Sequence, residues 1–203
     1  MKQETIHLFV FDSMSDWEYA YAAVGIHNPM FQARPGQSRI QTVGIEKCPV
    51  RSMGNLAVLP DGLLDEVDPA ESAMLILPGG LTWEDDKNIE AIDKAKDFLD
   101  AQRPVAAICG ATAALAKAGI LDNRPHTSNS LDYLKTTGYR GESYYEDRPA
   151  VIGDNVITAS GIAPLEFTRC IFETLGIFSP DKLDAWYKLF KTGDVSHYAI
   201  LAK

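Results

Sequence analysis

The sequence predicts an α/β fold built on a mostly parallel sheet, and three observations carry that prediction. Residues 73–77 (Ala-Met-Leu-Ile-Leu) and 105–108 (Val-Ala-Ala-Ile) are unbroken apolar runs, the composition of strands buried on both faces. Between and around them run stretches with helical spacing, such as 88–100 with Ile89, Ile92 and Leu99, and 164–175 closed by Gly176. Glycines follow two of the strands at once, as Pro78-Gly79-Gly80 and Cys109-Gly110. Strands alternating with helices imply parallel crossovers, helices on both faces of the sheet, and ligands at the carboxyl ends of the strands.

In chain order, residues 6–11 form a first strand and 12–15 the loop after it. Ser15 and Glu18 have capping-box spacing at the start of a helix that runs from Asp16 to about Gly25. A Pro- and Gly-containing loop leads to a second strand at 39–45. Residues 50–52 and 56–59 flank Met53-Gly54-Asn55 as a hairpin. Residues 61–66 read as a short helical turn, 131–135 as a short helix, and 144–145, 150–152 and 155–159 as strands. A helix at 179–190 lies on the outside of the domain.

Length and composition bound the function. The 203 residues suit one domain spanning 1–203, and 46% hydrophobic with 23% charged residues is ordinary for a soluble globular chain. A formal charge of −9 leaves no basic patch for nucleic acid or an anionic membrane. The apolar run near the N-terminus stops at Asp12, too short to span a bilayer and without a cleavage pattern. Three widely spaced cysteines, Cys48, Cys109 and Cys170, make neither a disulfide framework nor a zinc site. A reducing cytoplasm follows as the expected location, with a small-molecule substrate and neither metal nor cofactor.

The chemistry concentrates at Ile108-Cys109-Gly110. A strand, a sharp turn and an Ala-rich helix ending at Gly119 put Cys109 above the sheet edge and at the positive end of a helix, where a thiolate is favoured. A buried structural cysteine is the competing reading. Glu18 and Pro78-Gly79-Gly80 fall at the same edge. Glu18 is a carboxyl for the thiol or merely the capping acid. The glycines free backbone N–H groups for a ligand or simply make a tight turn.

These stretches in this order, Asp16-Trp17-Glu18, Leu77-Pro78-Gly79-Gly80 and Ile108-Cys109-Gly110-Ala111, with a closing helix near Ala163-Pro164-Leu165-Glu166-Phe167, resemble the ThiJ/PfpI superfamily, relatives of the class I glutamine amidotransferases. The resemblance implies a flavodoxin-like three-layer α/β/α sandwich, a homodimer, and activities ranging over peptidase and amidase, glyoxalase or deglycase, isocyanide hydration and peroxide-linked protection. It implies Cys109 as nucleophile, Glu18 as a protonated carboxyl on the sulfur, and the Gly80 and Gly110 N–H groups as an oxyanion hole. Departures concern the base. Where protease members place His after the cysteine, this chain has Gly110, and Asn129 falls where other members carry a His. His126, three residues earlier, is either a base entering from another angle or a loop histidine. Glu84 matches the protease members' acid from a neighbouring subunit, or is a surface charge. Trp83 beside it is a pocket wall or a dimer contact.

Two functions compete. One is a cysteine-dependent hydrolase or lyase acting on a small amide or carbonyl compound. The other is a non-catalytic, redox-responsive or stress-protective protein in which Cys109 is oxidised.

Overall fold

The buried strand β1 (Glu4–Phe9) has parallel neighbours on both sides, β2 (Ser38–Gly44) and β6 (Ser72–Leu77). From β6 the sheet continues through β7 (Val105–Ile108) to β9 (Val156–Ala159), again parallel, and ends on β8 (Ala150–Gly153), antiparallel to β9. Beyond β2 lies β5 (Gly62–Leu63), giving seven strands in the order β5-β2-β1-β6-β7-β9-β8. A separate two-stranded ribbon pairs β3 (Val50–Arg51) with β4 (Ala57–Val58), the hairpin read from the sequence. The computed structural model describes residues 3–202; Met1, Lys2 and Lys203, at the ends of the expected span, lie outside the described residues.

The apolar runs behave as their composition requires. Leu75, Ile76 and Leu77 of β6 and all four residues of β7 are wholly buried. The crossover from β1 to β2 carries α1 (Asp16–His27), and that from β6 to β7 carries α2 (Ile89–Asp100). From β1 the chain steps outward to β2, and from β6 it steps the other way to β7. Right-handed crossovers therefore place α1 and α2 on opposite faces, with a crevice at the carboxyl ends of β1 and β6. The remaining helices are α3 (Gly110–Lys117), α4 (Leu131–Lys135), α5 (Pro164–Leu175), α6 (Pro180–Thr192) and α7 (Tyr198–Leu201). On the α1 face, Gly25 lets the helix approach α5 so closely that a Cβ there would overlap the Phe172 ring.

Several local expectations are corrected. Residues 61–66 hold the edge strand β5, not a helical turn. Asp61 instead stands against β2: its Oδ2 accepts from Thr42 N–H at 2.9 Å and its own N–H donates to Thr42 O at 3.0 Å. Tyr144 closes a 3-10 turn at Glu142–Tyr144, and Tyr145 makes only an isolated bridge to His126. Ser15 caps nothing with its side chain, and Glu18 has been drawn away to the sheet edge. Two bonds at separate strand ends outcompeted the local box. No helix among the described residues is long and apolar enough to cross a membrane.

Candidate active site

The loops after β1, β6, β7 and β9 converge on Cys109. This residue ends β7 and precedes α3 with φ 59° and ψ −124°, a conformation that a side chain other than glycine's adopts only under strain, costing on the order of 1–3 kcal/mol. The strain lifts the sulfur off the strand and over the crevice, as in a nucleophile elbow. Cys109 N–H is tied to Ala159 O at 3.0 Å, and Thr112 Oγ1 donates to Cys109 O at 2.6 Å, so the elbow is held from both sides.

Glu18, only 2% exposed, reaches across from α1. Its Oε2 accepts from Gly79 N–H at 2.6 Å, and its carboxyl shares a hydrogen bond with the Cys109 thiol. Glycine is required along this edge. A Cβ on Gly79 would lie 2.5 Å from Glu18 Oε2 and 2.6 Å from Cys109 Cβ. One on Gly161 would lie 2.8 Å from Sγ and 3.2 Å from Glu18 Oε1.

Burial pushes the Glu18 carboxyl toward its neutral form, and the Gly79 N–H only partly offsets this. Burial, and then the Glu18 charge, also push the Cys109 thiol up, against the pull of the Asn129 side chain and Gly110 N–H. The helix N-terminus alone does not make the thiolate dominant here, which corrects the expectation from the sequence. The two shifts are coupled: a proton on Glu18 would remove its repulsion on the sulfur.

Gly80 pairs with Met14 in an isolated antiparallel bridge, and its N–H has no acceptor among the described residues. Gly110 opens α3, so its N–H has no partner within the helix and turns toward Sγ. The two glycines touch, since a Cβ on Gly110 would meet Gly80 O at 3.1 Å.

Asn129 comes to the sulfur, with Nδ2 donating to Sγ at 3.5 Å. His126 does not. It is wholly buried, its Nδ1–H donates to Arg124 O at 2.8 Å and its Nε2 accepts from Tyr139 Oη at 3.3 Å, with the Tyr139 and Tyr145 rings edge-on around it. Burial pushes its pKa down, and both nitrogens are engaged away from Cys109, so the reading of His126 as a base is corrected to a core histidine. Trp83 is likewise a core ring. It packs on Phe9 and Phe11, and its indole N–H donates to Pro78 O at 2.9 Å, supporting the Gly79-Gly80 turn from beneath. Glu84 is exposed and accepts from Tyr133 Oη at 3.5 Å.

Two neighbours of the sulfur were not read from the sequence. Gly161 follows β9 as Gly79 follows β6, so the same strand-then-glycine signal was available. Tyr133, on α4, is close enough to feel the Cys109 charge, and only the folded position of α4 brings it here. Among the described residues no group of His, Cys, Asp and Glu could hold a metal ion.

The family model described as the DJ-1/PfpI family matches residues 4–174. The chain belongs to the DJ-1/PfpI family. Among its relatives, the Bacillus subtilis protein named uncharacterized protease YoaZ is 43% identical over 195 residues, covering 95% of this chain and 93% of that one. A second B. subtilis protein, named uncharacterized protease YdeA, is 32% identical over 179 residues, 86% of this chain and 85% of its own. The solved structure of a thiJ/pfpI family protein from Bacillus anthracis superposes with a TM-score of 0.92 at 41% identity, over 99% of this chain and 96% of that one. The flavodoxin-like architecture expected from the sequence is thereby established.

Proposed function

We propose that this family member is a cysteine-dependent hydrolase acting on a small amide or carbonyl compound, with Cys109 as nucleophile. The observation that carries the reading is the strained Cys109 conformation, which holds Sγ against a buried Glu18 whose carboxyl is pushed toward its neutral form. In this mechanism Sγ adds to the substrate carbonyl carbon as its proton rests on the Glu18 carboxyl. The oxyanion that forms is met by Gly80 N–H and Gly110 N–H, an arrangement worth about 3 kcal/mol per donor. Collapse of the adduct breaks the carbon–nitrogen bond, and Glu18 gives its proton to the departing amine. Water then adds to the thioester, the acid leaves, and the proton returns to the Cys109–Glu18 pair. The name protease carried by both Bacillus subtilis relatives is consistent with amide cleavage.

The test is turnover of short acyl p-nitroanilides and small oxo-aldehydes by wild type and Cys109→Ser. A loss of about a thousandfold or more is expected. Unchanged turnover would overturn the mechanism.

A second reading, a redox-responsive protein in which Cys109 is the oxidised group, is favoured by one observation: among the described residues no imidazole is hydrogen-bonded to the sulfur. It expects mild peroxide to add oxygen to Cys109 ahead of Cys48 and Cys170, read by peptide mass, with no turnover of either substrate class.

A further inference from the structure

We infer that Asn129 is the positioning residue of the Cys109 centre, an amide clamp that fastens the loop after β9 onto the sulfur and presents it with a donor that cannot titrate. The inference rests on Cys109 being the reactive group of the site. Its geometry joins three distant parts of the chain. Asn129 Oδ1 accepts from Gly161 N–H at 2.9 Å, and Nδ2 donates to Cys109 Sγ at 3.5 Å. The first bond determines the second. Only the carbonyl end of an amide can receive the Gly161 N–H, so the NH2 end is the one turned to sulfur. An NH2 group can only donate, and it therefore favours the thiolate over the thiol.

The clamp is itself held in place. Thr127 N–H donates to Thr158 Oγ1 on β9 at 2.8 Å, and Thr127 Oγ1 donates to Arg148 O at 2.7 Å. The next residue, Ser128, shares a 2.6 Å hydrogen bond with Thr112 Oγ1, the hydroxyl that also donates to the carbonyl of Cys109. Thr112, Thr127, Ser128 and Thr158 are all buried. Asn129 thus emerges from a rail strapped to β9 on one side and to the elbow on the other. The loop it grips has glycine where it meets Sγ, because a Cβ on Gly161 would stand 2.8 Å from the sulfur.

The groups facing Sγ are then few. Glu18 approaches from α1, Gly110 N–H from α3, and the Asn129 amide with Tyr133 from α4 and the segment before it; Glu84 stands behind Tyr133. Tyr133 is pushed up to about 12 by burial and then by the Glu84 and Cys109 charges, so it stays neutral across the working range. With an amide at Asn129, only Cys109 and Glu18 exchange a proton at the centre near neutral pH. The site has one shared proton and no imidazole limb.

Alkylation of the full chain by iodoacetamide across pH 5 to 10, read peptide by peptide, tests this without any substrate, and Cys48 serves as an internal control. Asn129→Asp keeps an oxygen for Gly161 N–H and nearly the same shape, but removes the donor and adds a charge. Asn129→Ala removes both ends. In each variant the Cys109 profile should move to higher pH, lowering its rate at neutral pH roughly tenfold, with Cys48 unmoved. Asn129→His should add a second inflection between pH 5 and 8 that wild type lacks. If the Asn129→Asp profile overlies wild type, or Cys48 moves as far as Cys109, the clamp is wrong. Because alkylation involves no acyl transfer to a substrate, that failure would leave the turnover comparison of wild type and Cys109→Ser unaffected.

Discussion

Glu18 carries a cost to the fold that its proposed role at the site would explain. Its folded pKa is raised above the ordinary 4.5 because burial disfavours the carboxylate. Below that value both folded and unfolded chains carry the proton and nothing is lost. As pH rises, the unfolded chain ionises freely and the native state is penalised. Glu18→Gln should therefore melt higher than wild type, by a margin that is absent near pH 4 and opens as pH rises above 4.5, while turnover collapses. Equal melting curves at pH 8 would contradict a carboxyl destabilised by burial. Gly161 gives a second expectation at this scale. Gly161→Ala should slow Cys109 alkylation about tenfold with little change in Tm, whereas Ile162→Ala next door, at a side chain 95% exposed, should change neither. The residues at the sheet edge were legible because strand, glycine and thiol follow one another in the chain. His126 was not, since nothing local says which way an imidazole turns. The Tyr139 hydroxyl and Arg124 carbonyl that satisfy it come together only through folding.

Among the elements, those with one unambiguous period were legible and those determined by a neighbour were not. β6 and β7 are apolar throughout and could only be buried strands. β5 is two residues long and exists because β2 offers it a partner at Val43 and Gly44. Tyr144, which closes the turn at Glu142–Tyr144, and Tyr145 just after it have high strand preference, yet Tyr144 O and Tyr145 are used by His126 and the chain there bends. The α1–α5 contact is the place where an element-scale change should be felt most. Gly25→Ala puts a methyl group into the Phe172 ring, which is wholly buried and packed at a tilt against Phe178 and Trp186. A loss of about 1–3 kcal/mol in denaturant unfolding is expected, with Cys109 reactivity retained in the folded fraction.

For the whole molecule, a histidine outside the site contributes to the loss of stability in acid. His7, on β1, is buried with Nδ1 unpartnered, and burial, followed by the Arg39 and Lys94 charges, holds its pKa down to about 4 from 6.5. The unfolded chain binds a proton first as pH falls through 6.5, so stability is full above that value and is drained down to about pH 4, by at most about 3 kcal/mol. His7→Leu should flatten this decline between pH 7 and 4.5 in urea titrations; a parallel decline in both proteins would refute it. The overall architecture was the most legible level, because alternating strands and helices admit few topologies, whereas the way the sheet ends was not. At its β2 border the chain supplies too little strand to finish the row, and the Asp61 carboxylate occupies the ladder position beside Thr42 that another backbone would otherwise take. Asp61→Ala is therefore expected to associate more readily than wild type. A bare edge is a template for any extended chain that passes, and a fixed negative charge there both fills the vacancy and repels an acidic copy of the same protein. Light scattering of concentrated Asp61→Ala should rise with time above that of wild type, and equal traces would refute the role of a loop far from the chemistry.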